Sequence, residues 1–229
     1  YYTGPNSVSL ALYKKSFDDY IQTGTYFRPK TNNGVTRDVI VTGPINGDGA
    51  ELQGFEVQGT HLFNYLPGFL SGFGVQANYT YVENEGIENT GVSSGSANGV
   101  ITSSAAAADR VQVGSLEGMS KDAYNLSAFY ERNNFSARLA YSWRAEYLLT
   151  VQDCCVGTPI WQGDYGQLDA SLRYRFNDMV ELSLSGSNLT NQKAELFHQI
   201  DNSEDGGKRL RYSINQSDTR YTLGLRMQF

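Results

Sequence analysis

The side chains best suited to hold a ligand lie between residues 144 and 165, where Arg144, Tyr147, Trp161 and Tyr165 flank a vicinal pair, Cys154 and Cys155. Aromatic rings with polar tips stack on the apolar faces of sugars, and they equally form the belts of a membrane interface. Trp161 lies furthest into its loop and is read as the contact residue. Arg144 is a charged residue on a polar strand face, suited to a ligand or to pairing within the protein. Consecutive Cα atoms lie about 3.8 Å apart, below the roughly 4.4 Å lower bound of ordinary disulfides, so a Cys154–Cys155 bond would be strained. An oxidised pair is expected in an extracellular loop. It is then a rigid apolar platform beside Trp161, a staple with no ligand role, or two thiols bonded to cysteines elsewhere.

Bond chemistry has no candidates. There is no GxSxG and no Ser/His/Asp arrangement, and His61 and His198 are far apart without a metal-ligand spacing. Asp201-Asn202-Ser203-Glu204-Asp205-Gly206 opens like a calcium loop. Tyr212 occupies the twelfth position, where a bidentate Glu sets affinity, so the stretch is read as a solvated acidic loop. The chain therefore reads as a binding protein and not an enzyme, with no cofactor and no metal. A net charge of −6 argues against a nucleic-acid surface. The Asn-x-Ser/Thr sites at Asn78, Asn125, Asn134, Asn188 and Asn215 fall mostly in or beside predicted strands and are read as chance.

The elements that must position these residues are strands. With 229 residues the chain suits a single β domain. Its mean hydropathy of −0.43 and lack of a long apolar run argue against helical membrane spans. A membrane barrel passes that test unseen, because only alternate residues face lipid. Period-two alternation marks eight strands: 7–17, 50–63, 72–82, 122–131, 135–144, 167–176, 180–188 and 220–229. Gly54 and Gly59 suggest a bulge or a close approach in the second. Residues 22–49 read as a long loop with one short strand at Asp38 to Val41. Residues 83–119 read as another, with a short helix at Ala105 to Ala108.

Connections alternate between long and short, the short ones being Leu66 to Ser71, Arg132 to Asn134 and Asn177-Asp178. Sorting of loops by parity is expected of a membrane barrel, with short periplasmic turns and long extracellular loops, and not of a soluble sandwich. Glu56, Arg138, Arg144, Arg173, Arg175, Glu181 and Arg226 fall on the polar face, which would line the lumen.

Several stretches resemble the C-terminal barrel of TonB-dependent outer-membrane receptors, particularly the subgroup linked to oligosaccharide uptake. They are Gly54-Phe55-Glu56-Val57, Leu66-Pro67-Gly68, Gly72 to Tyr81, Asn188-Leu189-Thr190-Asn191 and Arg220 to Phe229. Gly224, Met227 and Phe229 resemble the terminal signal read by the barrel-assembly machinery. The resemblance implies an all-β antiparallel transmembrane β-barrel, of which this chain supplies about eight C-terminal strands out of about 22. It implies residence in the Gram-negative outer membrane, in contact with its lipid. The implied ligand is an oligosaccharide, or else an iron chelate (siderophore). The TonB complex would act through a plug region that has no counterpart in 1–229. A chain opening at Tyr1 with no signal peptide is expected to be the C-terminal part of something longer, in preference to a mature processed form. The alternative is a small self-contained barrel acting as an adhesin or anchor.

Overall fold

The computed structural model describes residues 1–4, 6–47, 49–87, 89–93, 110–151, 153, 158–201 and 207–228. In chain order the strands are β1 (Tyr2–Thr3), β2 (Asn6–Phe17), β3 (Tyr20–Asn32), β4 (Val35–Gly47), β5 (Ala50–Leu62), β6 (Phe73–Glu85), β7 (Asn89–Ser93), β8 (Arg110–Val113) and β9 (Asp122–Arg132). They continue as β10 (Phe135–Arg144), β11 (Tyr147–Thr150), β12 (Ile160–Gln162), β13 (Tyr165–Arg175), β14 (Val180–Ser187), β15 (Lys193–Gln199), β16 (Arg209–Gln216) and β17 (Arg220–Met227).

One sheet, in the order β1-β2-β5-β6-β9-β10-β13-β14-β17, forms a wall in which each strand is antiparallel to its neighbours. Apart from the two-residue β1, its members are the eight strands marked by the alternation. Residues 63–72, 133–134 and 176–179 make short turns at one end, and 18–49, 86–121, 145–164 and 188–219 make long connections at the other.

Directly opposed residues share a face, so the register exposes each face of the wall as a whole. One row runs Phe73, Tyr130, Ala137, Leu172, Leu184, Leu223 across six strands, all apolar. The other face carries rows such as Asn78, Asn125, Ser142, Gln167. The apolar face is bare: Leu12 is 76% and Leu223 72% exposed. A continuous apolar surface of this size is costly in water and belongs against hydrocarbon. Aromatic rings edge it on both sides. Phe55, Tyr79, Tyr81, Tyr124 and Trp143 pack towards the long-loop end, and Phe73, Tyr130, Phe135, Tyr174 and Phe176 towards the short-turn end. From Phe73 to Tyr81 the strand climbs about 26 Å, or about 20 Å across a bilayer at a tilt of roughly 40°. This is the fold of an antiparallel transmembrane β-barrel, here an arc with no second neighbour for β17 among the described residues.

Two sequence expectations need correction, and a third offered two alternatives of which one holds. Residues 20–47 are not a loop with one short strand. β3 and β4 pair in unbroken register over their whole length. The turn is Asn33-Gly34, with φ of 50° and 75°, the paired positive angles that a two-residue hairpin requires and that Asn-Gly adopts most readily. Residues 83–119 likewise contain the β7/β8 pair, and the expected helix at Ala105 to Ala108 lies outside the described residues. Gly54 and Gly59 mark no bulge, since the register passes through both unbroken. Gly54 marks a close approach instead: a Cβ there would collide with the Tyr81 carbonyl and the Tyr13 hydroxyl.

The Asn188-Leu189-Thr190-Asn191 stretch clips the base of the last long connection. Asn188 is 3% exposed, and it and Asn191 adopt left-handed φ of 52° and 50°. The Asn188 amide donates to Gln192 O at 3.1 Å and Ser217 O at 2.6 Å, while its Oδ1 accepts from Gln192 N at 2.8 Å. One side chain thereby holds both arms of the β15/β16 hairpin.

Two outcomes follow for urea unfolding of the receptor in detergent or lipid. Leu184→Arg, on the apolar face, should lower stability by about 2–4 kcal/mol in a bilayer, whereas Ser185→Arg next to it should be tolerated. Equal effects would mean that the face assignment is wrong. Asn188→Ala should cost about 1–3 kcal/mol, because it strands buried backbone groups, and an unchanged midpoint would refute the clip.

Candidate functional site

The wall keeps no apolar core, so the long connections must bury their own apolar side chains. β11 pairs with β12, β12 with β15 and β15 with β16, making a second sheet from two different connections. Val111 and Val113 share one face of β8, two residues apart, and pack with Leu148 and Val151 into a buried cluster against which Trp161 rests.

Three of the four expected ligand residues, Arg144, Tyr147 and Tyr165, meet at the junction of this layer with the wall. Arg144 ends β10, opposite Tyr165 at the start of β13. Its guanidinium lies 3.8 Å from the Tyr147 ring centre, and it donates to Ser120 Oγ and Gly118 O, both at 2.8 Å. The Tyr147 ring is buried, and its hydroxyl donates to Gln162 Oε1 at 2.7 Å. Trp161 is opposite Leu148 in the β11/β12 register. It donates from Nε1 to Gln199 Oε1 at 2.8 Å and carries the Arg209 guanidinium 4.0 Å from its ring centre. Arg209 in turn pairs with Glu146 at 2.7 Å. Cation–π contacts of this kind contribute about 0.5–2 kcal/mol, more where water is excluded. Tyr165 donates to Gln167 Oε1 at 2.8 Å, and Gln167 donates to Asp169 at 2.9 and 3.1 Å and to Ser187 at 3.2 Å.

Arg144, Tyr147 and Tyr165 thus adjoin one another, whereas Trp161 lies on the opposite face of the β11/β12 ladder from Tyr147. Three of the four already have partners within the protein: Tyr147 and Trp161 are covered by guanidinium groups, and Arg144 donates to two local acceptors. Cys154 and Cys155 lie outside the described residues. Gln199 and Arg209 were not singled out from sequence. Both sit in a stretch that reads as polar loop, and only the pairing of β15 with β12 brings them to Trp161.

The seven charged residues assigned to the polar face all lie on it by register. Arg138 donates to Ser127 Oγ at 3.1 Å within a polar recess of about 260 Å³ that also includes Gln76, Asn78, Asn125, Ser142 and Asp169. Near the short turns, Arg173 and Arg175 approach Glu181 at 3.4 and 3.8 Å, and a second recess of about 260 Å³ includes Arg175, Glu181 and Arg226. Exposed pairs like these add little stability and leave the wall with spare donors for whatever fills the interior. At the opposite rim, Lys121 donates to Glu83 at 3.0 Å, and that hydrogen bond holds its ammonium above the ordinary lysine range. His61 meets Phe63 edge-on, while His198 meets Thr158 Oγ1 at 2.9 Å and the Tyr212 ring. Among the described residues no group of three or more His, Cys, Asp or Glu converges as a metal site.

The terminal strand places Met227 on the apolar face, 54% exposed. Gly224 faces the interior, where a Cβ would press on Ser183 Oγ. Phe229 lies outside the described residues.

Three solved structures share this fold. The ferric-catecholate import receptor Fiu from E. coli K12 matches with a TM-score of 0.53 at 18% identity, over 98% of this chain and 25% of that one. The siderophore receptor PiuA from Acinetobacter baumannii matches at 0.54 and 16%, over 97% of this chain and 26% of that one. The siderophore receptor PirA from the same organism matches at 0.55 and 13%, over all of this chain and 30% of that one. The chain thus spans between a quarter and three tenths of their length. No curated protein matches it. The family described as TonB dependent receptor-like, beta-barrel matches residues 1–189. With most of its length matched and its wall, turns and loops arranged accordingly, this chain belongs to the TonB dependent receptor-like β-barrel family.

Proposed function

We propose that this chain is the C-terminal wall and outer loop layer of an outer-membrane receptor that takes up an iron chelate. The observation that carries the reading is the register-defined apolar face, spanning eight strands, with every short turn at one end and every long connection at the other. The short-turn end is periplasmic and the long-loop end extracellular. The polar face would surround a plug outside this chain, through which the TonB complex supplies energy from the proton gradient. Met227 and Gly224, with Phe229, would serve the barrel-assembly machinery, and the apolar face would meet outer-membrane lipid.

Two considerations favour an iron chelate over an oligosaccharide. The three structural neighbours are named as ferric-catecholate or siderophore receptors. The rings of Tyr147 and Trp161, the natural stacking platforms for a sugar, are packed and capped by Arg144 and Arg209. The oligosaccharide is the second substrate class and would use the same extracellular mouth. A self-contained small barrel would need β17 to close onto β1 or β2, and no such pairing occurs among the described residues.

The test is uptake by cells whose only such receptor contains this chain. Radioiron supplied as a ferric catecholate should accumulate and should stop accumulating when the proton gradient is collapsed. Accumulation of a labelled maltooligosaccharide without iron would overturn the substrate class, and accumulation of neither would overturn the uptake reading.

A further inference from the structure

The β3/β4 hairpin carries the chain's most conspicuous charge arrangement. Lys30 stands directly opposite Arg37, and Arg28 lies two residues along on the same face, opposite Val39. Like charges directly opposed across a ladder destabilise it. The nearest carboxylate in the hairpin, Asp38, belongs to the other face, opposite Pro29. Six other cations meet carboxylates: Lys14 with Glu51, Lys121 with Glu83, Arg173 and Arg175 with Glu181, Arg209 with Glu146 and Arg211 with Glu195. Among the described residues none of Arg28, Lys30 and Arg37 has an ion pair, and all three are exposed. In a chain of net charge −6, three unpaired cations on one face make a local anion-attracting surface.

The same face is also apolar. Tyr26, Val35 and Val39 share it with the cations and are 39%, 54% and 37% exposed. Cation and ring together fit a multiply charged anion with flat apolar parts better than a bare inorganic ion. Reach excludes the lipid phosphates as the source of that anion. β3 runs parallel to β7, which continues outward from β6, and the two touch at Gly24 and Thr90. Lys30 is therefore about 33 Å along β3 from Tyr20, whereas the polar layer of a bilayer leaflet is only about 5–8 Å deep.

We propose that the β3/β4 hairpin is an anion-capture arm: Arg28, Lys30 and Arg37, with Tyr26 beside them, draw a multiply charged anionic iron chelate to the extracellular mouth. This rests on the iron-chelate uptake proposed above.

Stopped-flow association with the intact receptor in outer-membrane vesicles tests it, using ferric tris-catecholate, which is trianionic, and ferric tris-acetohydroxamate, which is neutral. The variant Arg28→Gln/Lys30→Gln/Arg37→Gln should associate about tenfold more slowly with the anionic chelate, with a flatter salt dependence and little change in dissociation. Association of the neutral chelate should stay near wild type. Lys30→Glu separates capture from a structural role: it gives Arg37 a favourable partner and firms the hairpin, so slower capture by it supports the arm and unchanged capture overturns it. Lys30→Arg should retain the wild-type rate. Unchanged association in the triple variant, or equal slowing of the neutral chelate, overturns the arm and leaves uptake standing. A wild-type receptor that binds neither chelate overturns both.

Discussion

The constraint on which the structure depends is that the wall must satisfy its backbone polar groups within its own ladders while turning its apolar side chains outward. In hydrocarbon no water is available to an unpaired N–H or C=O, so every strand between the edges needs a neighbour on each side. The eight strands meet that demand in uninterrupted register, and their antiparallel order leaves only short turns at one end. Because most of the greasy residues are spent on lipid, the interior face is predominantly polar, with only scattered apolar side chains such as Leu52, Val82 and Phe129. The polar face follows from the same alternation, with no separate instruction in the sequence.

The extracellular layer obeys the opposite rule. It sits in water and has to build a small dry centre, which it does from Val111, Val113, Leu148 and Val151 under Trp161. Arg144 and Arg209 lie across the two large rings, so these aromatics act as parts of a scaffold. They lie at the packed centre of the layer, and the hairpin of β3 and β4 holds its cations in solvent.

The wall was legible in the sequence because lipid on one side and polar contents on the other enforce a period of two, as in Leu168, Ala170, Leu172 and Tyr174 against Asp169, Ser171 and Arg173. The loop layer was not. Its strands are short, face no bilayer and mix polar with apolar residues, so Lys193 to Gln199 carries no alternation that distinguishes it from coil. The β3/β4 hairpin is a different case: Asn33-Gly34 states its turn plainly, and the surrounding Thr, Gly and Asn residues obscured two strands whose faces are both solvated. For the candidate site, Arg144, Tyr147, Trp161 and Tyr165 were found by residue type. Their mutual arrangement depends on pairing between connections about forty residues apart, as Trp161 with Gln199 shows, and local pattern carries no trace of that.

The pairing of β12 with β15 has a mechanical consequence. Residues 145–164 and 188–219 leave the wall at different points, yet a shared ladder, the Trp161–Gln199 hydrogen bond and the Arg209–Glu146 pair rivet them together. Neither can swing aside without carrying the other or shearing that seam. Over this arc the two connections are therefore a single body, rooted where Arg144 and Asn188 meet the rim of the wall, and not a set of independently waving fingers.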